Sequence, residues 1–446
     1  MTTGASLTGS QRVRHFQNVL YAKAKEEPER RFHALCDKVW REDFLHEAWA
    51  MVRRNGGQPG VDGESLEAIE HGGVEQWLGE LSRDLKDGTY VPQAVRRVLI
   101  PKKQPGTFRP LGIPTIRDRV AQTSAMLVLA PIFEADLPAE QYGYRPGRSA
   151  QDAVRRIHRL LNRGHNEVVD GDLVSYFDEI PHAELLKSIA RRVSDGRMLG
   201  LIKAWLTAPV EEDDGKGGKR RTNRARRERK GVPQGSPLSP CLSNIYMRRF
   251  ILGWKKLGFA RRFCAEIVVY ADDFCVLGKG PAPDMLAAAT RLMDALKLTV
   301  NPQKTRCLRC PENSFEFLGY RFGWNYRPGS GVAYIGNRPS KASIQSICRR
   351  ISTQTHRRYG QQDSSWMVAR LNRMISGWAQ YFHLGQVSPA YVAVDAHATK
   401  RLRQWLCRKH KVRGGKYVRF PDERLWDTYG LTRLAPTTKG LPWAKA

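Results

Sequence analysis

Apolar residues follow two different periods along this chain, and these periods predict its secondary structure. Short apolar runs rich in Val and Ile are typical of buried strands. Such runs cover residues 95–100, 168–173, 267–269 and 274–277. Helices, indicated by apolar residues three or four positions apart, are expected over residues 36–53, 119–133, 182–193, 239–250 and 284–298. Strands that alternate with helices indicate an α+β fold, in which helices cover a sheet.

The pattern changes after about residue 335, where helical spacing replaces the strand runs. Ile344, Ile347 and Ile351 recur on one helical face, and a second series of this kind begins at Leu371. We therefore expect a helical bundle with little strand content in this part of the chain. The last stretch, residues 397–446, interleaves basic residues with tryptophans.

Charge adds a candidate partner to this fold. The chain has 446 residues and carries 74 Lys and Arg against 44 Asp and Glu, a formal net charge of +30. Such an excess attracts polyanions, so a nucleic-acid partner is favoured over a merely solvated basic surface. Residues 216–230 hold nine basic residues and one acid without apolar periodicity. They are predicted to form a solvated, mobile loop that contacts nucleic acid.

Membrane, secretory and zinc classes are disfavoured. No apolar run approaches the roughly 20 residues that span a bilayer, and the polar N-terminus lacks an apolar signal core. We therefore expect no membrane partner and a cytoplasmic or nucleoid location. The eight cysteines are scattered, as expected of reduced thiols. Cys307 and Cys310 form a C-x-x-C pair, but no second pair follows at a zinc-site spacing.

The most informative stretch is Tyr270-Ala271-Asp272-Asp273, which lies between two apolar runs. Alternate strand residues point to opposite faces, so two adjacent acids cannot both project the same way from a regular strand. A tight turn between two short strands solves this, because both carboxylates then lie at its tip. Unpaired carboxylates near a core are costly unless a cation compensates them. The turn therefore predicts metal ions, and a third carboxylate would complete a two-metal site.

A third carboxylate is available after the strand predicted over residues 168–173. Asp172 lies at the strand end, where a ligand can face the hairpin tip, and Asp170 has the same parity one repeat earlier. Asp178 lies past the turn, where it could cap a helix or pair with an arginine. Strand-end placement favours Asp172 over Asp170. Asp172, Asp272 and Asp273 would then bind two Mg²⁺ ions through oxygen ligands and support transfer of a nucleotide to a 3′-hydroxyl.

These residues resemble those of a known protein family. Asp172 and the Tyr270–Asp273 hairpin resemble the palm of reverse transcriptases, and residues 231–240 resemble the Pro-Gln-Gly loop of group II intron-type members. Further blocks follow in the family's order over residues 55–63, 100–114, 142–149, 298–305, 315–320 and 376–382. The resemblance covers about residues 50–446. No paired C-x-x-C with an H-N-H motif follows Cys407. Among the members of the family, the chain therefore most resembles the bacterial, endonuclease-minus type.

The resemblance implies a right-hand polymerase fold, with fingers and palm built from an antiparallel sheet plus helices and with an α-helical thumb or maturase domain. Four regions are expected from it. They are an N-terminal extension with the start of the fingers (1–90), the reverse transcriptase fingers and palm (91–330), a helical thumb or maturase domain (331–410) and a basic C-terminal tail that is a candidate DNA-binding region (411–446).

The resemblance also assigns roles in substrate binding. Lys102 and Arg109 match the basic residues that reach the triphosphate of the incoming nucleotide. Phe177 matches a steric gate that excludes a ribose 2′-hydroxyl, although an ordinary core aromatic would look the same in sequence. Gln234 and Gly235 match a loop that contacts the templating base pair.

Further candidates are less specific. Lys304 matches a palm lysine that protonates the departing pyrophosphate, but an exposed lysine without a role fits its sequence nearly as well. The backbone carbonyl of Leu173 is an additional candidate metal ligand. Candidates for contact with the template backbone are Arg96, Arg97, Arg117 and Arg119.

The predicted function is RNA-directed DNA polymerisation by an enzyme that also binds group II intron RNA to promote splicing and retrohoming. The resemblance implies two Mg²⁺ ions as cofactors. It implies intron RNA, target DNA or primer, and deoxynucleoside triphosphates as partners, and a homodimer is also considered. Three alternatives remain: a domesticated relative in phage defence or CRISPR adaptation, a maturase that splices without polymerising, and a generic basic nucleic-acid-binding protein. The last leaves the acidic hairpin unexplained.

Overall fold

Helices form the N-terminal part of the protein. The computed structural model describes residues 8–101, 106, 108–213, 218–327 and 329–440, so the predicted triphosphate ligand Lys102 lies outside the described residues. The helices are α1 (Gly9–Glu26), α2 (Cys36–Val39), α3 (Glu42–Asn55), α4 (Leu66–Gly72) and α5 (Val74–Asp87). The Thr8 hydroxyl caps α1 by accepting a hydrogen bond from the Gln11 amide, and the Gln11 side chain accepts one from the Thr8 amide.

A mixed sheet, the first sheet, follows these helices. The elements from residue 95 to residue 228 are β1 (Val95–Pro101), β2 (Phe108–Ile113), α6 (Ile116–Glu134), α7 (Ala150–Leu161), β3 (Glu167–Gly171), α8 (Tyr176–Glu179), α9 (His182–Ala190), α10 (Gly196–Leu206), β4 (Val210–Asp213), β5 (Lys219–Thr222) and α11 (Arg224–Glu228). The strand order in the first sheet is β2-β1-β4-β5. β1 pairs antiparallel with β2 and parallel with β4, and β4 pairs antiparallel with β5.

A central antiparallel sheet and a smaller third sheet complete the β structure. The elements are α12 (Ser239–Lys256), α13 (Phe259–Arg262), β6 (Glu266–Tyr270), β7 (Asp273–Gly278), α14 (Ala282–Ala295), β8 (Arg306–Arg309), β9 (Phe315–Phe317), β10 (Tyr320–Tyr326) and β11 (Ala333–Pro339). The central sheet has the order β6-β7-β3-β8, and the third sheet has the order β11-β10-β9. All pairings in these two sheets are antiparallel.

Helices dominate after residue 340, as the spacing of isoleucines predicts. They are α15 (Lys341–Gln354), α16 (Ser364–Tyr381), α17 (Ser388–Lys409) and α18 (Lys416–Arg419). The segment predicted to be a separate basic tail packs against these helices over its described part. Phe420, Leu425, Leu431 and Leu434 are buried there, and Asp395 on α17 accepts hydrogen bonds from the amide of Leu434. The described part of this tail therefore belongs to the helical domain.

The central sheet separates two hydrophobic cores because its strands alternate. On one face, Val169 of β3 and Phe274 of β7 pack against α6, α12 and α14. On the other face, Val168 and Cys275 pack with α7, the third sheet and the C-terminal helices. The predicted α+β fold with a helical C-terminal domain is confirmed. None of the described helices combines the length and apolar character that crossing a bilayer requires.

One prediction of local structure was wrong. Residues 216–230 were expected to form an irregular basic loop, but the described part contains strand β5 and the short helix α11. β5 is held by ion pairs to β4, since Arg221 contacts Glu211 at 2.9 Å and Arg220 contacts Glu212 at 3.0 Å. Apolar periodicity could not reveal this strand, because charges rather than apolar side chains pair it with its neighbour. The prediction that its side chains are exposed is confirmed.

Candidate active site

The acidic hairpin has the predicted geometry. Tyr270 and Asp273 face each other across β6 and β7, so Ala271 and Asp272 form the turn between them. Ala271 has a φ of +59°, in the left-handed region that normally favours glycine. Gly143 packs directly against this turn, and a Cβ there would lie 2.6 Å from the Ala271 nitrogen. The close backbone approach of Gly143 thus supports a strained turn that carries the two acids.

Asp172 lies at the end of β3, next to the acidic hairpin. Gly171 pairs with Phe274 of β7, and any side chain at Gly171 would overlap the Phe274 ring. The Asp172 carbonyl accepts a hydrogen bond of 2.8 Å from the Asn301 amide. Its carboxylate accepts bonds from the Asn301 side chain at 3.2 Å and from Lys304 Nζ at 3.1 Å. The backbone around Asp172 is therefore fixed before any ligand binds.

Asp273 lies within the electrostatic influence of several other acids. Burial, followed by the charges of Asp272, Asp172 and Asp170, raises the pKa of Asp273 to about 7, against the opposing effect of Lys304. A half-buried carboxylate with three acidic neighbours is a poor place for further negative charge and a good place for a cation. The donor set of carboxylate oxygens fits Mg²⁺, which prefers hard oxygen ligands.

The spacing of the acids also bears on the number of ions. A set of three ligand side chains can close around one ion when their ligand atoms all lie within 4.8 Å of one another. Among the described residues, the surface group of Glu42, His46 and Glu75 is the one set that meets this condition. Asp172, Asp272 and Asp273 are thus spread more widely than ligands closed around one ion. They therefore do not enclose a single ion in this conformation, and the number of ions that they would share stays a prediction.

Asp170, the competing third carboxylate, has a partner of its own. Arg306 on the neighbouring strand β8 contacts it at 3.2 Å. Burial raises the pKa of Asp170, which lies at about 6 even with the opposing effect of Arg306. Asp172 also has a cationic neighbour, Lys304, whose side chain is 62% exposed, against 59% for Arg306, so exposure does not separate the two ion pairs. The choice of Asp172 as the ligand stays a prediction.

The Pro-Gln-Gly segment docks on β2 through backbone contacts. The Gly112 amide donates a 2.6 Å hydrogen bond to the Gln234 carbonyl. Gly235 has a φ of +113°, and any side chain there would overlap the Gly112 carbonyl, so glycine is required twice over. Arg109 Nε donates a 2.7 Å hydrogen bond to Gln234 Oε1. The structure therefore brings together three residues that the sequence assigned to nucleotide and template binding.

Phe177 and Leu173 lie next to this site. Phe177 is 5% exposed and packs edge-on against Tyr176, and its carbonyl accepts a 2.7 Å bond from the Val232 amide. A cavity of about 240 Å³ is lined by its chain neighbours Ser175 and Asp178 and by Gly112 and Gln234, among others, but not by Phe177 itself. The Leu173 carbonyl lies between the backbone bonds that Asp172 and Val174 make with residues 299–301. The gate role of Phe177 and the ligand role of Leu173 stay predictions.

Two tyrosines of the site were missed by the sequence analysis. Tyr144 is half exposed with a φ of +57°, and burial followed by the charge of Asp272 raises its pKa, while Arg109 lowers it. Tyr381 on α16 has its pKa raised to about 12 by burial, then by Tyr270 and Asp273. The sequence signal for Tyr144 was its place in the 142–149 block. Nothing local connects Tyr381 with the hairpin, because the fold alone joins them.

One of the four arginines proposed to contact the template is a structural residue. Arg119 is 8% exposed, and its guanidinium donates to the carbonyls of Pro114, at 3.0 Å, and Gln58. Arg117 and Arg97 are ion-paired with Asp84 and Glu212. Arg119 therefore holds the 55–63 segment in place and is not available to a template phosphate.

Family models match this chain over both its polymerase part and its helical domain. The model of the family described as reverse transcriptase (RNA-dependent DNA polymerase) matches residues 100–322, which is half of the chain. The model described as group II intron, maturase-specific domain matches residues 344–420. The first match contains every predicted catalytic and substrate-binding residue, and the second covers most of the helical domain.

Individual relatives agree with the family matches. The chain is 31% identical to Protein YkfC of Escherichia coli (strain K12) over 353 residues, which cover 69% of this chain and 88% of that protein. It is 35% identical to the Group II intron-encoded protein LtrA of Lactococcus lactis subsp. cremoris over 193 residues, 43% of this chain and 31% of that protein. A protein in the cob intron of Schizosaccharomyces pombe is 32% identical over 314 residues, 58% of this chain and 36% of that protein. The matches thus span most of the first relative and about a third of the other two.

Proposed function

The chain belongs to the group II intron reverse transcriptases and maturases, whose activity is RNA-directed DNA polymerisation, and we propose that Asp172, Asp272 and Asp273 hold the two Mg²⁺ ions of that reaction. The observation that carries this proposal is the position of the tight Ala271–Asp272 turn beside the end of β3, which brings Asp272 and the half-buried Asp273 next to Asp172. The raised pKa of Asp273 agrees with this grouping of acids. When bound, the ions supply Lewis acidity that activates the primer 3′-hydroxyl and neutralises charge on the leaving pyrophosphate.

Lys304 would act on the leaving group. It contacts Asp172 at 3.1 Å, and its side chain is largely exposed, so it can turn toward an incoming triphosphate. A lysine ammonium offers three rotatable donors and can give a proton to an oxyanion. We assign Lys304 the role of holding the triphosphate and protonating the pyrophosphate as it departs.

Arg109 and Gln234 would position the incoming deoxynucleotide against the template. The 2.7 Å bond between them orders both side chains at the edge of the first sheet. Arg109 keeps further guanidinium donors for phosphate oxygens, and Gly235 allows the backbone to approach the base pair closely. Lys102, outside the described residues, is proposed to bind the same triphosphate.

The helical domain would bind intron RNA. A groove between α15 and α16 is lined by four arginines, namely Arg349, Arg350, Arg370 and Arg373. Arg370 Nε donates to Gln354 Oε1 at 2.8 Å, and the Gln354 amide nitrogen is buried without a partner among the described residues. Dense arginine charge with an unpaired amide suits an RNA backbone, since guanidinium groups pair with phosphates. We propose that this binding supports splicing and retrohoming of the intron.

Primer extension on an RNA template tests the metal site. Asp273→Asn removes one charge at constant shape, and extension with Mg²⁺ is expected to fall by a factor on the order of 10³, because a contact made to the developing charge is lost. RNA affinity, measured in parallel, should change little, since the basic surfaces are untouched. Full extension by Asp273→Asn would remove the metal assignment. Loss of RNA binding as well would indicate misfolding, which Asp272→Asn then checks independently.

Sugar selection tests the proposed gate. Phe177→Ala is expected to raise incorporation of ribonucleotides relative to deoxynucleotides by about tenfold or more, because space opens for the 2′-hydroxyl. Phe44→Ala is the control, since Phe44 is a fully buried phenylalanine in the N-terminal helices. It should destabilise the protein without changing sugar selection. Unchanged selection in Phe177→Ala would leave Phe177 as a core aromatic.

A further inference from the structure

A cavity of about 580 Å³ lies where the polymerase part meets the helical domain. One wall is α7, which belongs to the matched reverse transcriptase region, through Val154 and His158. The other wall is formed by Tyr334 and Asn337 of β11 together with Leu384. Its volume is typical of small-molecule sites, which fall at about 300–1,000 Å³. None of the residues assigned above to polymerisation lines this cavity.

This cavity, called the seam cavity from here on, has a hydrogen-bond donor without a partner among its lining residues. Asn337 is 5% exposed, and its Nδ2 has no hydrogen-bond partner among the described residues. Gly385 lies against this nitrogen with a φ of +73°, and a Cβ on Gly385 would come within 2.8 Å of it. Buried amide groups are almost always paired, so an orphan amide lining a cavity indicates an acceptor supplied from outside.

The rim of the seam cavity is basic. Arg159 and Arg163 on α7 are exposed, and no carboxylate of the described residues pairs with them, whereas Arg155 is paired with Asp152 at 2.9 Å. His158 bonds to the backbone of Ile335, and burial lowers its pKa, so it contributes polarity without charge. No residue that lines the cavity is acidic. The site thus combines an apolar interior, a buried amide without a partner in its wall, and a cationic entrance.

We propose that the seam cavity binds a single nucleotide extruded from an RNA, with the base inside and its phosphate at the rim. Val154, Leu384 and the Tyr334 ring offer the apolar walls that a flat base needs. The Asn337 amide donates to a ring nitrogen or carbonyl of the base, and Arg159 and Arg163 bind the phosphate. The assignment of an RNA as the source rests on the proposed RNA binding; a free nucleotide would offer the same chemistry.

Two RNA hairpins that differ by one bulged 4-thiouridine test this proposal with the full-length protein. Wild type is expected to bind the bulged hairpin about tenfold more tightly than the fully paired one, the size of one well-stacked base. Irradiation should crosslink the bulged 4-thiouridine to residues of the seam cavity. Asn337→Leu, and separately Arg159→Gln combined with Arg163→Gln, should abolish both the preference and the crosslink while primer extension is retained.

Matched controls exclude general effects. Asn325→Leu removes another buried, unpartnered amide, which lines a different cavity of about 120 Å³. Arg291→Gln removes an exposed helical arginine that, like Arg159, contacts the carbonyl four residues earlier at 3.4 Å. Arg291 lies on α14, on the other face of the central sheet. Both controls should keep the preference. A preference that survives Asn337→Leu and the double arginine variant, or a crosslink outside the seam cavity, would overturn the proposal.

Free 4-thiouridine monophosphate separates the two sources. If wild type binds neither hairpin, the proposed RNA binding has failed, and the free nucleotide then tests the cavity alone. Crosslinking of the free nucleotide to the cavity, without a preference for the bulged hairpin, would overturn RNA as the source. Absence of any crosslink to the cavity from either probe would overturn the site itself.

Discussion

Two strand pairs of this protein gather acidic side chains, and they treat the negative charge in opposite ways. In the central sheet, Asp273 lies close to Asp172, and burial with the neighbouring acids raises its pKa to about 7. In the first sheet, hydrogen bonds from Arg221 and then Lys219 lower the pKa of Glu211. One group of carboxylates is left short of cations, and the other is saturated with them.

The difference follows from what lies across each strand. β4 faces β5, so Glu211 meets Arg221 in register, and Glu212 meets Arg220. β7 faces β3 and β6, where Asp273 meets Tyr270 and Phe274 meets Gly171, so neither register partner is a cation. Lys304 is the cation that the structure brings to Asp172. The first arrangement holds a hairpin together; the second leaves a demand for positive charge that metal ions can meet.

The largest expected effect is the difference in primer extension between two separate substitutions, at Asp172 and at Asp170. Asp172→Asn should lower primer extension by a factor on the order of 10³, because it removes a contact that stabilises the developing charge. Asp170→Asn, two residues earlier, should stay within about threefold of wild type, since it frees the exposed Arg306 from an ion pair and removes the smallest of the three acidic effects on the pKa of Asp273. Rates measured on one RNA template with Mg²⁺ decide between them.

The reverse order would assign the third ligand to Asp170 and leave Asp172 as the partner of Lys304. Equal losses in both variants would mean that the whole acidic group acts together and that the contrast between paired and unpaired acids is too simple. Binding of a fully paired RNA serves as the folding control for both proteins.

Much of the central site could be predicted because its information is local. Asp272 and Asp273 are neighbours in sequence, and the apolar runs around them fix the hairpin. The strand end at Asp172 follows from the same alternation. The resemblance to a family added Arg109 and Gln234, which the structure joins by a hydrogen bond.

The features that could not be predicted depend on pairings distant in sequence or on charge. Strand β5 has no apolar alternation, so nothing in the pattern separated it from a loop. The ion pair of Asp170 with Arg306, and the approach of Tyr381 to Tyr270, exist only once separate elements pack together. The orphan amide of Asn337 is invisible in sequence for the same reason.

Removing an acid from the ion-paired group on β4 should have a smaller effect, and this effect should be a gain in RNA affinity. Glu211→Gln frees Arg221 and Lys219 from their shared partner, so RNA affinity at about 0.1 M salt should rise by about threefold, with a steeper dependence on salt. Glu184→Gln is the control, because Glu184 pairs with Lys297 at 2.7 Å in another part of the protein and loses the same charge. Equal gains in both variants would reduce the effect to net charge, and a loss in Glu211→Gln would make the hairpin itself the RNA-binding element.

The smallest expected effect is on stability and measures the demand for cations directly. At about ten times its dissociation constant, Mg²⁺ should raise the wild-type Tm by about 2 °C, and Asp272→Asn should abolish this rise. The folded pKa of Asp273, about 7, lies above its ordinary 3.8, so the metal-free protein should lose stability as pH rises from about 4 to about 7. Glu211→Gln should keep the full response to Mg²⁺. If Mg²⁺ raised the Tm of wild type and Asp272→Asn equally, the ions would bind elsewhere, and the two acidic groups would not differ in their need for cations.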